Sequence, residues 1–411
     1  MRFTAALMLS AIVATPALAE DFKLKPLVDA RLRYERVEQA GVPLDADAVT
    51  LRVRAGGEAV SKHWDFLAEG EATVAISEQY NSGLNGKTLY PLVPDPENLE
   101  LNRLQLQYRG MPKTLVTVGR QRINLDDQRF VGAAGWRQNE QTFDAARVEW
   151  AGVKDVKLDV TYSWSVRTIW GVDGGNVYGP ARLRAIGGDN VFANLGVKTP
   201  MGLLTGFGYW VDQDEAAVSG YRNSSRTIGA RLAGTQPLSK AVKLNYAASF
   251  ARQTDLHRNP NRYGANYWLL EGSVAAKGFS AGGGYEVLGA DRGAALTSFQ
   301  TPLATLHKFQ GWADKFLVTP PNGLRDLYAT AGFARPKPVK GIDNVALAAA
   351  WHRFTADRLG QHFGDELDLS AAVKVKRWVV TAKYADYDAK DPLPFATADT
   401  RKFWLQLEWA L

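Results

Sequence analysis

Apolar and polar residues alternate with a period of two through most of the chain. Val28, Ala30, Leu32 and Tyr34 interleave with Asp29, Arg31, Arg33 and Glu35. Val49, Leu51, Val53 and Ala55 interleave with Thr50, Arg52 and Arg54, and Trp64, Phe66 and Ala68 with Asp65, Glu69 and Glu71. Such alternation places the two sets on opposite faces of β-strands. About eighteen segments keep this rhythm over roughly ten or more residues each, enough to cross a bilayer at a tilt.

The linkers between these segments alternate in length. Short ones fall at 61–62, 110–112, 152–154, 200–201, 236–239, 276–277, 336–340 and 376–377. Long ones fall at 38–46, 78–97, 122–138, 168–187, 213–222, 254–261, 290–324, 356–362 and 389–398. Short periplasmic turns alternating with longer external loops mark an outer-membrane barrel, and a soluble sandwich has no reason to keep that order. Aromatic positions agree. Trp64, Tyr108, Trp150, Trp378 and Trp409 sit on apolar faces beside short turns or the C-terminus, whereas Tyr34, Trp164, Phe250 and Trp351 sit at the opposite ends. Two such girdles suit two membrane interfaces. The expected fold is therefore all-β: a transmembrane antiparallel β-barrel of about eighteen strands, with inward-folding and long extracellular loops.

Composition narrows the compartment. Residues 1–19 carry one positive residue, Arg2, an apolar run from Ala5 to Ala14, and the small-residue pattern Ala17-Leu18-Ala19. That is the pattern of a cleaved secretory signal, which leaves residues 20–411 as a single barrel domain in the outer membrane. Losing Arg2 lowers the formal charge from +6 to +5, a mild excess that does not suggest nucleic-acid binding. A large exported chain without cysteine must draw its stability from something other than disulfides. After the signal, no apolar run is long enough for a membrane helix.

The last strand places Phe403, Leu405, Leu407, Trp409 and Leu411 on one face. It is similar to the C-terminal signal read by the barrel-assembly machinery, although that signal usually ends in an aromatic residue and this chain ends in Leu411. This strand must pair with the first to leave no edge in lipid.

One stretch stands out for chemistry. Between Val118 and Trp150, Arg120, Arg122, Arg129 and Arg137 stand against Asp126, Asp127 and Asp144, with Gly132 and Gly135 between. Guanidinium groups this close in sequence repel one another unless carboxylates or an anionic visitor lie among them. The stretch reads as a loop that turns back into a water-filled barrel and narrows it; a solvated surface loop is the alternative. A second insertion, 290–324, sets Leu303, Leu306, Phe309, Trp312 and Phe316 at helical spacing, with Pro302 at the expected helix start and Pro320-Pro321 after its end. Such a helix would either cap the mouth or fold inward.

Three stretches, 118–150, 301–328 and 352–387, resemble the alginate export family of outer-membrane porins. The resemblance implies an eighteen-stranded barrel whose arginine-rich pore passes an anionic uronate polymer. It assigns Arg120, Arg122, Arg129 and Arg137 to the pore, balanced by Asp126, Asp127 and Asp144. The lumen face adds Arg52, Arg54 and Arg103, with Arg31, Arg33 and Arg109, against Asp29, Glu35, Asp65, Glu69 and Glu71. The expected function is passage of hydrophilic, anionic saccharides through an arginine-lined constriction, with lipid and solute as partners and no cofactor. A non-selective porin is the alternative; an outer-membrane hydrolase and a secreted sandwich are remoter ones.

Other motifs are weaker. Gly278-Phe279-Ser280-Ala281-Gly282 matches G-x-S-x-G, but strand alternation continues through it where a nucleophile needs a strand-to-helix turn. The histidines His63, His257, His307, His352 and His362 show no metal-ligand spacing. Asp386, Asp388 and Asp391, like Asp45 and Asp47, read as solvated loop charge in preference to a calcium site.

Overall fold

The computed structural model describes residues 21–175, 181–294, 297–390 and 398–411. The expected signal segment and Asp391 lie outside the described residues. Eighteen strands follow in chain order: β1 (Lys23–Gln39), β2 (Ala46–Val60), β3 (Trp64–Gln79), β4 (Asn98–Tyr108), β5 (Thr114–Gln121), β6 (Thr142–Trp150), β7 (Val156–Arg167), β8 (Ala185–Thr199) and β9 (Gly202–Val211). The second half contains β10 (Ser225–Pro237), β11 (Val242–Asp255), β12 (Gly264–Ala276), β13 (Phe279–Leu288), β14 (Leu324–Pro336), β15 (Asn344–Thr355), β16 (His362–Val375), β17 (Trp378–Ala389) and β18 (Thr400–Ala410). Each pairs antiparallel with its chain neighbours, and β18 pairs with β1 in the register Ala30↔Trp409 and Arg33↔Gln406. The ring is closed, so each strand pairs with a neighbour on both sides. The expected eighteen strands form, and short connections alternate with long ones except that 337–343, expected to be short, is slightly longer than 356–361, expected to be long.

Burial runs opposite to that of a soluble protein. Leu270 is 67% exposed and Ile228 51%, while Arg33, Asp368 and Thr161 are fully buried. The alternation read from the sequence therefore points apolar residues outward and charged ones inward. Only lipid makes such an outer wall favourable. At the short-turn end, Trp64 lies 4.5 Å from Tyr108 and Trp378 6.3 Å from Trp409, ring centre to ring centre; at the other end Phe250 lies 4.3 Å from Trp268.

The helix expected in 290–324 does not form. Among its described residues the only helical element is a single 3-10 turn, Leu306–Lys308. Gln310, Gly311 and Asp314 all adopt left-handed backbone, which no α-helix tolerates in succession. The apolar residues that suggested helical spacing fill separate recesses instead: Phe316 packs 4.6 Å from Phe354, and Phe309 lies under the Arg129 guanidinium. Gly311 is required where it stands, because its φ is +78° and a Cβ there would sit 2.3 Å from the Glu366 carboxylate.

Candidate functional site

Two loops at the long-loop end fold into the lumen and hold each other there. The first, 122–141, follows β5; the second, 289–323, follows β13. Val131 and Leu303 form a parallel bridge, and the Gly132 amide donates to the Leu303 carbonyl at 2.9 Å. Gln141 Nε2 donates to the carbonyls of Gly132 (2.7 Å) and Leu303 (3.1 Å). Around this seam an apolar core fills part of the barrel interior, with Ile123, Leu125, Phe143, Phe192, Phe299, Leu303 and Phe354 buried. The reading of 122–138 as an inward loop is correct; the surface-loop alternative falls.

The first loop crosses the lumen as a chord. On the β1–β2 side, Arg31 donates to the carbonyls of Gly135, Trp136 and Arg137 at 3.0–3.2 Å. Arg33 donates to the Trp136 carbonyl at 2.5 Å and lies 4.2 Å from that indole's centre. Gln138 donates to Thr50 Oγ1 at 2.8 Å. On the far side, Arg129 reaches Glu286 of β13 at 2.6 Å and Thr301 at 2.9 Å. Arg129 is 1% exposed and Arg137 5%. These two arginines are therefore clamps between loop and wall, and the expectation that they line the water path is corrected. Their neutralising carboxylates come from elements distant in sequence, which desolvates both partners together.

The second loop is pinned at Asp314. Its carboxylate accepts from Arg137 at 2.5 Å, from His307 Nδ1 at 2.8 Å and from Lys402 of β18 at 2.9 Å. His307 stacks on Trp136 at 4.6 Å, and its Nε2 lies 2.9 Å from Lys383 Nζ, which itself sits over the Trp136 and Trp312 rings at 4.1 and 3.6 Å. Burial and the Lys383 ammonium hold His307 well below its ordinary 6.5. Despite burial, Lys402, His307 and Arg137 hold the Asp314 carboxyl well below the usual carboxylate range. A neutral imidazole donating from Nδ1 and accepting at Nε2 satisfies both contacts. Nearby amides complete the anchor: Ala313 donates to Glu366 at 2.7 Å and Trp312 to Asp368 at 3.2 Å.

Arg120 and Asp144 are not pore residues. They pair at 2.8 Å, but Arg120 lies opposite Leu104, which is lipid-facing, and two residues from Val118, which is also exposed outward. Strand parity thus puts the pair on the outer face near the long-loop interface. Arg52, Arg54, Arg103 and Arg122 do lie on the lumen side. Arg52 pairs with Asp29 and is almost fully buried; Arg54 pairs with Glu71 (2.5 Å) and Glu140 (3.4 Å). Arg103 pairs with Glu69 at 2.6 Å, and Arg122 with Glu69 at 3.2 Å and with Glu140. Asp127 pairs with Arg231 of β10 at 3.1 Å, and Asp126 accepts from Asn194 at 2.8 Å. Burial, with Asp127 beside it, raises the Asp126 carboxyl.

Around Arg122 the ion pairs are layered. The Glu69 and Glu140 side chains are each 3% exposed, whereas Arg103 is 15% and Arg122 29% exposed; towards the short-turn end, Asp65 is 3% exposed and its partner Arg109 43%. At these pairs the carboxylates stand behind the guanidinium groups; on the adjoining β18–β1–β2 wall the order reverses, with Asp29 more exposed than Arg52 and Glu408 more exposed than Arg31. A recess of about 480 Å³ lined by Arg231, Asn245, Glu271, Tyr328 and Thr330 lies on the β10–β14 wall, and a cavity of about 350 Å³ opens among the long loops beside Trp136, Trp170, Leu306 and Val318.

The alginate export family matches residues 28–167. The chain is a porin-like channel of the outer membrane. The match runs from β1 to β7 and contains the whole first inward loop; the other two stretches that suggested the resemblance, 301–328 and 352–387, lie beyond it. No curated protein matches in sequence. Solved structures with this fold include OccK9 (OpdG) of Pseudomonas aeruginosa, at 13% identity and a TM-score of 0.69, covering 94% of this chain and 98% of that one. OccAB3 of Acinetobacter baumannii shares 13% identity at a TM-score of 0.70 (94% and 99% covered), and the outer membrane protein opdK of Pseudomonas aeruginosa 12% at 0.67 (94% and 98%). At such identities the likeness is one of fold. The family match points to a transporter and not to an enzyme. Ser280 lies within β13 opposite Gly332, not on a strand-to-helix turn. Asp386 faces Arg401, Asp388 faces Lys390, and Asp45 and Asp47 both face Arg36.

The buried partners Glu286, Glu140, Asp314, His307 and Lys383 were not singled out by sequence reasoning as site residues. Their roles come from contacts between strands and loops distant in the chain, and local spacing carries no trace of them.

Proposed function

We propose that the channel passes hydrophilic, anionic saccharides, of the uronate class that the family description suggests, along the β1–β5 side of the lumen. The water-facing set is Arg103 and Arg122, with the buried Arg52 and Arg54 and the partly exposed Asp29 completing the wall and Asp126 and Asp127 with Arg231 forming a mixed patch across from it. The observation that carries the reading is the layering of charge: Glu69 and Glu140 neutralise the wall from behind while Arg103 and Arg122 present their guanidinium edges to water. Guanidinium forks match carboxylate geometry, and such a surface replaces part of an anion's hydration shell without covalent chemistry. A leader of residues 1–19 and insertion by the barrel-assembly machinery through β18 complete the proposal.

Reversal potentials in planar bilayers under a salt gradient test it. The native channel should favour chloride over potassium, and Arg103→Gln with Arg122→Gln should bring the permeability ratio towards one. Equal permeabilities in the native channel would favour a general porin and overturn the anion reading.

A further inference from the structure

Outside the lumen, the barrel carries a second cationic site that the transport reading does not use. It is a pocket of about 530 Å³ on the outer face of β11–β14, at the long-loop end, lined by Arg252, Asn266, Trp268, Arg292, Arg325 and Asp357. Strand register fixes its height. Arg252 pairs with Asn266, and the next outward positions towards the bilayer are Phe250 and Trp268, both lipid-facing. Arg325 pairs with Val287, and the next outward pair is Tyr285 and Leu327, also lipid-facing. The pocket therefore stands directly above the apolar belt, where lipid headgroups begin.

Its charges are not closed among themselves. Three guanidinium groups meet two carboxylates, and those carboxylates are already engaged. Asp291 accepts the amides of Gly264 (2.6 Å), Gly293 (2.5 Å) and Ala294 (2.6 Å). Asp357 accepts the Ala290 amide at 3.1 Å and Arg325 Nε at 2.9 Å. Arg252 has the Asn266 amide oxygen at 3.1 Å, and among the described residues no carboxylate lies within ion-pair distance of Arg252 or Arg292. The guanidinium lies close against β12: a Cβ at Gly264 would stand 2.3 Å from an Arg252 terminal nitrogen, so a larger residue there would push the guanidinium aside.

We propose that this pocket binds the phosphate of a phosphorylated glycolipid in the outer leaflet. Guanidinium forks favour phosphate. The opening faces the bilayer boundary instead of the lumen, which favours a lipid headgroup over a solute in transit. Trp268 and Tyr285 flank the site where an amphipathic ring meets sugar and acyl chain.

Native mass spectrometry of the full-length barrel in detergent, with bis-phosphorylated lipid A as probe, tests this. The native protein should retain one lipid A, and Arg252→Gln with Arg292→Gln should weaken retention about 10- to 30-fold, the scale expected for two arginines at a headgroup. Arg401→Gln, an exposed rim arginine away from the pocket, should change nothing. Equal retention by the double variant, or equal retention of fully dephosphorylated lipid A, would overturn the proposal. Glucosamine 1-phosphate competing as well as lipid A would show a solute site and overturn the lipid assignment. Heat-modifiable migration of the folded barrel confirms that the variants are intact.

Discussion

Replacing Asp314 by asparagine should loosen the second inward loop without unfolding the barrel. The carboxylate is the shared partner of Arg137, His307 and Lys402, and its side chain is 5% exposed. The Asp314→Asn change would leave Arg137 with Glu35, at 3.9 Å, as its one ion-pair partner among the described residues, and would take from Lys402 its one ion pair among them. Breaking a buried pair by removing one partner costs about 3–5 kcal/mol, because a desolvated charge is left behind. At about 1.4 kcal/mol per decade, the docked-to-released ratio of the loop falls roughly 10²- to 10⁴-fold. The wall does not share that cost, since the closed eighteen-strand ladder is untouched. Phe316, buried against Phe354 and Phe363, and Lys315, donating to Thr400 at 2.8 Å, still hold the loop, so brief openings are expected and not a permanently open pore. Single-channel recordings should show frequent transitions to a higher conductance level that the native channel visits rarely. Adding Lys402→Met, which removes the stranded cation, should restore much of the quiet behaviour. Identical gating in native and Asp314→Asn channels would show that the loop is not held by this cluster, and a lowered unfolding temperature of the whole barrel would show that the cost falls on the wall.

Three further outcomes follow from the same geometry. His307 is faced by Asp314, Lys383 and Arg137, and its folded pKa lies below the unfolded 6.5, so loop docking should weaken as pH falls below about 6.5, by up to roughly 1.4 kcal/mol per pH unit. Asp314, also depressed, adds its loss only below the ordinary carboxylate range; openings recorded from pH 7 to pH 5 should therefore rise more steeply in the native channel than in His307→Gln. Gly311→Ala should release the same loop, by strain at φ +78° and collision with Glu366, and appear as new protease sensitivity between 303 and 318 on folded barrels. Arg120→Gln should leave the reversal potential unchanged while Arg122→Gln shifts it; an equal shift in both would contradict the assignment of Arg120 to the outer face.

The wall was legible in the sequence because a barrel strand is read at period two, and each strand's inner and outer sets differ as sharply as Arg33 from Leu32. Connection lengths supplied the orientation. The arginine-rich loop was recognisable because like charges crowded together demand a partner, but which arginines meet water was not. Arg120 and Arg122 are two residues apart and would share a face in an uninterrupted strand; β5 ends at Gln121, and Arg122 turns inward with the loop. In 301–318, spacing suggested a helix because five apolar residues recur every three or four positions. They instead meet several partners: Leu303 and Phe309 meet the first loop, Trp312 meets Lys383 and Phe316 meets Phe354, and left-handed Gln310, Gly311 and Asp314 let the chain reach them. Periodicity reports how many apolar positions need burial; it cannot distinguish one shared face from several separate recesses.

Fixed charge and selectivity are separable in this lumen. Arg129 and Arg137 lie in the loop whose arginines suggested an anion filter, yet with their carboxylates they act as mechanical ties, since a buried neutral pair exerts little field on a passing solute. The guanidinium groups that can act on a solute are those whose partners are tucked behind them, Arg103 and Arg122. Both sit where the first loop leaves the wall, so any motion of that loop would alter pore width and exposed positive charge together. A channel built this way should lose its anion preference and gain conductance in the same opening event, whereas a passive sieve would gain conductance alone. Measuring the reversal potential separately in the two conductance levels of Asp314→Asn distinguishes them: the same potential in both levels would mean that the loops set only the bore.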